Sequence, residues 1–95
     1  MEATLKIHGK TCRFAPDADD LTRIETALSL SLLALAKKLT AGDISLQELM
    51  VILENSIEAD ARKPNLREAL LEAGVTRLIQ LATVLFVRIF QGDLT

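Results

Sequence analysis

Apolar and polar residues alternate near the start of the chain, in the stretch TLKIHGKTCRF at positions 4–14. Such alternation is typical of a half-buried strand. A two-residue turn of Gly9 and Lys10 folds the stretch into a β-hairpin with Ile7 opposite Cys12, and glycine suits the first position of a type II′ turn. A turn one residue earlier would oppose Ile7 with Lys10 and waste the apolar face. We therefore predict a hairpin over 4–14.

From about residue 20 onward the apolar spacing changes to that of amphipathic helices, with repeats of three and four residues. Asp19 or Asp20 is a suitable N-cap for a first helix. Either Ser29 or Ser31 is placed to cap a second helix, which predicts a bend between the two. Gly42 suits the position just beyond the second helix.

Two further cap signals divide the rest of the chain. Ser45 and Glu48 form a capping box before a strongly apolar run. Asn65 opens a short helix that Gly74 ends, and a last helix follows over about 75–91. The predicted fold is mainly α: a small single domain, 1–95, of four to five short helices over 20–91 with the N-terminal β-hairpin.

The last helix is apolar over an arc of roughly 180°, whereas one packed face needs roughly 100° or more. One part of this arc suits an internal core and leaves an apolar flank for a second contact. Either the hairpin covers that flank, or the flank is a protein interface. For an interface, Asp in place of either phenylalanine on the flank should remove binding and leave the fold intact. The candidate interface residues are Ile79, Val84, Phe86, Val87 and Phe90.

Composition excludes several classes of function. With 11 basic and 13 acidic residues, the chain lacks the excess of positive charge expected of a nucleic-acid-binding protein. The longest uncharged runs, 26–36 and 78–87, are well short of the ~20 apolar residues of a membrane span. The N-terminus has no signal peptide, and one cysteine allows no internal disulfide, which fits a reducing cytoplasm.

Candidate chemistry is sparse. His8 and Cys12 could form a thiol–imidazole dyad, but the predicted hairpin puts them on opposite faces. The acids Asp17, Asp19 and Asp20 lack the glycine and the terminal glutamate of a calcium loop, so helix capping accounts for them better. We predict no catalytic residue, no cofactor and no metal site.

The order of the local signals resembles that of a known family. Four motifs occur in sequence: Gly9-Lys10-Thr11 at the hairpin tip, L-x-x-I-E-x-A-L at 21–28, L-x-x-G at 39–42 and I-S-L-x-E-L at 44–49. Over residues 4–57 this order resembles the tail-assembly-chaperone-like proteins of phages and gene transfer agents. One position departs from the pattern, because Ser29 stands where the family often has a glycine.

This resemblance implies a non-enzymatic role in building a phage-type tail. Such a chaperone is expected to bind a long, helical tape-measure protein, or a tail-tube protein, and to form homo-oligomers. It would act in the cytoplasm of the bacterial host or associate with the virion, without nucleic-acid or membrane partners. Two other classes stay open: a regulatory or scaffolding module unrelated to phage, and a small thiol enzyme.

Overall fold

The N-terminal hairpin consists of strands β1 (Thr4–Ile7) and β2 (Lys10–Arg13), which pair antiparallel in a computed structural model that describes residues 3–92. The chain turns at His8 and Gly9, whose φ angles are 53° and 79°. Two positive φ values in a row are what a type I′ turn requires. The hairpin prediction is confirmed, but the predicted turn at Gly9 and Lys10 is wrong by one residue.

Contacts outside the hairpin explain the observed register. Phe14 donates its backbone N–H to the Ala3 carbonyl at 2.8 Å and also forms a β-bridge with Ile57. Its side chain is only 1% exposed. In the observed register, each β1 residue pairs with the β2 residue two positions before the predicted one. A shift of two positions keeps the same side chains on the apolar face. Alternation alone therefore could not distinguish them.

Five α-helices follow the hairpin within residues 3–92, and their number and order confirm the predicted fold class. A short 3-10 turn (Ala59–Ala61) lies between the third and fourth helices. The predicted outer limits at residues 1 and 95 lie outside the described residues. The helices are α1 (Ala18–Leu28), α2 (Leu32–Ala41), α3 (Leu46–Ser56), α4 (Leu66–Glu72) and α5 (Val75–Gln91).

Most of the predicted helix caps are present. Ser31 caps α2, Gly42 ends it in the left-handed conformation, and the capping box opens α3. The N-cap of α1 differs from prediction: it is Asp17, whose carboxylate accepts the Asp20 N–H at 2.8 Å. Asp20 in turn accepts the Asp17 N–H, so the two acids form a reciprocal capping box.

Ser29 makes the bend between α1 and α2. It has a φ of 53°, the left-handed conformation that favours glycine. The position where the resembled family often has glycine is therefore one that requires a positive φ in this chain. The Glu25 carboxylate accepts the Leu32 N–H at 2.9 Å and fixes the start of α2 across the bend.

Helix α3 is the centre of the core. It buries residues around most of its circumference, as expected of a helix surrounded by other elements. Its buried Ser56 hydroxyl donates to the Ile52 carbonyl at 2.6 Å, so it leaves no unpaired polar group. Helices α1, α4 and α5 pack against α3, and α2 packs against α5. Beyond α3, Glu58 donates its N–H to the Arg13 carbonyl and joins the hairpin to this core.

Two ion pairs attach outer helices to α3. The Lys38 ammonium lies 2.7 Å from Glu48, and this hydrogen bond is the main cause that lowers the pKa of Glu48. The Arg67 guanidinium binds both carboxylate oxygens of Glu54 at 2.8 Å. These pairs fix α2 and α4 at the two ends of α3.

Candidate protein-binding surface

An apolar groove lies between α2 and the C-terminal half of α5. It has a volume of about 310 Å³. A shallower depression of about 320 Å³ continues along α2 over Ala36, Lys37, Thr40 and Ala41. The groove is lined by Ala36, Leu39 and Thr40 of α2 and by Thr83, Phe86, Val87, Phe90 and Gln91 of α5. No charged side chain is among these eight.

Large apolar side chains stand exposed on both helices of this groove. Phe90 is 53% exposed and Val87 49% exposed on α5. On α2, Leu33 is 58% exposed and lies one turn before Ala36, on the same face by helical spacing. The ring of Phe90 stacks on that of Phe86, with centroids 6.1 Å apart. Phe86 itself is 5% exposed and forms the floor.

The two threonine hydroxyl groups in the groove already donate hydrogen bonds within the protein. Thr40 donates its hydroxyl to the Ala36 carbonyl at 2.9 Å, and Thr83 donates to the Ile79 carbonyl at 2.8 Å. Both hydroxyl protons are thus used within their own helices. A bound partner would therefore meet mainly methyl, methylene and ring surface, with the Gln91 amide as the polar group at one end.

The five predicted interface residues lie on two sides of α5. Phe86, Val87 and Phe90 line the groove. Ile79 is half-buried against the core and lies two turns before Phe86 on the same side of the helix. Val84 faces a different concavity, beside the hairpin. The interface prediction stays a prediction, now confined to the α2 side of α5.

Helix α2 covers the buried part of the apolar flank. We expected either the hairpin or a partner to cover it, but α2 packs against this half of α5 and buries Phe86. The hairpin meets α5 nearer its N-terminus, around Arg77 and Leu81. The part of the flank left open is the edge formed by Val87 and Phe90.

Sequence reasoning missed the contribution of α2 to the groove. The run LLALAKKLTA predicts a helix, but its pattern alone does not indicate a binding surface. The signal was present, because Leu33 lies off the stripe formed by the buried Leu35 and Leu39. Only the packing of α2 on α5 brings Ala36 to the same groove as Phe90, with Leu33 one turn before Ala36.

The residues considered for catalysis or metal binding occupy structural positions. His8 lies in the hairpin turn, and the buried Cys12 thiol points to the Lys10 carbonyl, with Sγ 3.7 Å from the oxygen. Across residues 3–92, no hydrogen bond joins this histidine to the thiol, and no three His, Cys, Asp or Glu side chains cluster as metal ligands. Asp17 and Asp20 cap α1.

No single helix of the described chain is long and apolar enough to cross a membrane. Helices α4 and α5 reach the length and apolar composition of a span only together, and the pair is bent by 105°. In α5, Arg77 near one end and Arg88 near the other bracket the apolar stretch.

Comparison with known proteins identifies a matching family. No curated protein and no solved structure matches the chain. A family model described as phage tail tube protein, GTA-gp10, matches residues 1–92. It confirms the resemblance to tail proteins of phages and gene transfer agents that the motif order indicated. Because the match covers nearly all of the sequence, the chain belongs to this phage tail tube protein, GTA-gp10, family.

Proposed function

We propose that the protein is a non-enzymatic tail assembly chaperone or accessory tail protein whose α2–α5 groove binds an apolar helical segment of a tape-measure-type partner. The observation that carries the proposal is a groove whose described lining has no charged side chain, with Val87 and Phe90 exposed in it and Leu33 exposed one turn before Ala36. An amphipathic helix laid in such a groove is a recurrent mode of protein recognition. Family membership supports a role in the tail.

The size of the groove implies weak binding per copy. Each of the three exposed side chains is about half exposed, and full burial of one such side chain contributes about 1.5–3 kcal/mol. Burying the exposed halves of all three therefore contributes about 3 kcal/mol. Association itself costs about 4–15 kcal/mol. One copy on one short helix would bind poorly, whereas many copies along a long helical partner would gain strength through multivalency.

The same surface allows copies of the chain to associate with each other. A second copy could place its own α5 edge in the groove, since Val87 and Phe90 have the chemistry of the proposed ligand. Self-association then competes with partner binding, and the free protein would be stored as a homo-oligomer in the bacterial cytoplasm. Partner binding would displace the second copy.

Co-expression with the tape-measure protein from the same genome tests this function. The proposal expects the tape-measure protein to stay soluble and to co-purify with the wild-type chain. Phe90→Asp should abolish both effects. The matched control is Leu71→Asp, since Leu71 is 44% exposed on α4 and does not line the groove. Equal loss in both variants, or no loss in either, would contradict the proposal.

A second candidate function is a structural subunit that stays in the finished tail. The description of the family as a tail tube protein favours it. The two functions differ in the fate of the protein, because a chaperone leaves before the tail is complete. Mass spectrometry of purified particles separates them. Stoichiometric amounts of the chain in the particle support the structural subunit, and absence supports the chaperone.

A further inference from the structure

Strand β1 has one paired edge and one open edge. Because Phe14 donates its N–H to the Ala3 carbonyl, this residue pair is hydrogen-bonded, and such pairs alternate along an antiparallel ladder. Thr4 and Lys6 therefore belong to the non-hydrogen-bonded pairs. Their N–H and C=O groups point away from β2, toward the outside of the sheet.

The opposite edge of the hairpin is occupied at the end of β2. The Arg13 carbonyl, on the outer side of β2, accepts the Glu58 N–H at 2.9 Å. Within residues 3–92, no strand and no loop backbone pairs in this way with Thr4 or Lys6. Within these residues, the outward backbone groups of β1 are thus open at both Thr4 and Lys6.

A concavity of about 380 Å³ adjoins β1 and separates it from the N-terminal half of α5. Buried Leu5 and Leu81 contribute apolar surface to it. Within residues 3–92, its charged groups are Lys6 from the strand and Arg77 from the helix, and none of the acidic side chains of these residues lines it. The described residues that line it are Thr4, Leu5, Lys6, Thr11, Arg77, Gln80, Leu81 and Val84.

The two cations of this concavity have no counter-ion in the described part of the chain. The side chains of Lys6 and Arg77 form no hydrogen bond or ion pair within residues 3–92, although Arg23, Arg62 and Arg67 all do. A lysine on an edge strand commonly prevents pairing between copies. That role accounts for Lys6 but not for Arg77, which lies on α5 and lines the same concavity.

We infer that β1 and α5 form a second binding site, which takes an extended acidic segment of a partner protein as a third strand on the open edge of β1. Backbone hydrogen bonds to Thr4 and Lys6 would supply affinity, as in other cases of strand addition. Carboxylates on the segment would pair with Lys6 and Arg77. A second copy is a poor occupant, because pairing β1 with β1 would bring Lys6 of both copies together.

Peptide titration followed by isothermal calorimetry tests the site. The probe is a capped heptapeptide of alternating Glu and Val. One control peptide carries Lys in place of Glu, and another is N-methylated on alternate backbone amides. On the protein, Lys6→Glu and Arg77→Glu test charge. Thr4→Pro removes one outward N–H without removing a hairpin bond, and Thr4→Val is its matched control.

The inference expects binding of the acidic peptide and about tenfold or greater loss with either charge reversal. The basic and N-methylated peptides and the Thr4→Pro variant should fail to bind, while Thr4→Val and Phe90→Asp should bind as the wild type does. Circular dichroism confirms that each variant is folded. Equal binding of acidic and basic peptides, or of N-methylated and parent peptides, overturns the inference. A wild-type dimer that Thr4→Pro dissociates also overturns it, because the occupant is then a second copy.

Discussion

The two stacked phenylalanines of α5 should differ sharply in their contribution to stability. Phe86 is 5% exposed and Phe90 is 53% exposed. Truncating a buried phenylalanine to alanine costs about 3–5 kcal/mol. For Phe90, about half of a full burial of about 1.5–3 kcal/mol, together with the loss of a ring pair worth about 0.5–1.5 kcal/mol, gives about 1–3 kcal/mol.

Urea unfolding measures this difference, and circular dichroism is the suitable signal because the chain has no Trp or Tyr. With an m value of about 1.5 kcal/mol per M, the midpoint should fall by about 2–3 M in Phe86→Ala and by about 1–2 M in Phe90→Ala. Equal shifts would refute the reasoning, because Phe90 would then be core and not an open binding surface. From sequence, Asp in place of either phenylalanine was expected to leave the fold intact. Because Phe86 is buried, we now expect Phe86→Asp to unfold the protein, whereas Phe90→Asp should not.

Three further predictions concern the turns and the ion pair at α3. Ser29→Gly should raise the free energy of unfolding by about 0.5–1 kcal/mol in thermal unfolding. Relieving a non-glycine residue of the left-handed conformation gains about 1–2 kcal/mol, and the greater freedom of glycine in the unfolded chain offsets about half of this gain. A lower Tm of the variant would contradict the left-handed conformation at the bend. His8→Asn should add about 0.5 kcal/mol, because Asn-Gly is preferred in type I′ turns, and a loss would favour the other register. The hydrogen bond from Lys38 lowers the pKa of Glu48, so its contribution is present above about pH 4.3, the ordinary glutamate value, and is lost as pH falls through the lower folded pKa. Glu48→Gln should flatten this acid loss of Tm, and an unchanged acid limb would contradict the assignment.

Local signals in the sequence predicted the helices well. Ser31, Gly42 and Ser45 act through groups within four residues of themselves, so their caps could be read without knowledge of the fold. The final helix has the predicted limits for the same reason, since its apolar arc and Gly92 are local features. The predicted N-cap of α1, Asp19 or Asp20, lies two or three residues after the observed Asp17, because three acids compete for this position over 17–20.

Features that depend on distant packing were not predictable in this way. The hairpin turn is set by Phe14, which pairs with Ala3 and with Ile57, 43 positions along the chain. The groove requires α2 to lie beside α5, although 33 residues separate the end of one from the start of the other. The wide apolar arc indicated a second contact for α5, but it did not identify α2 as part of that contact.

Site-specific photo-cross-linking in cells that assemble tails tests the central claim most directly. A benzophenone amino acid replaces Val87 at the open edge of the groove, and in the matched control it replaces Leu71 on α4. The account predicts a cross-link from position 87 to the tape-measure-type protein, none from position 71, and loss of the first when Leu33→Asp is added on the facing helix. Cross-links of equal yield from both positions, or capture of the partner from position 71 alone, would contradict it.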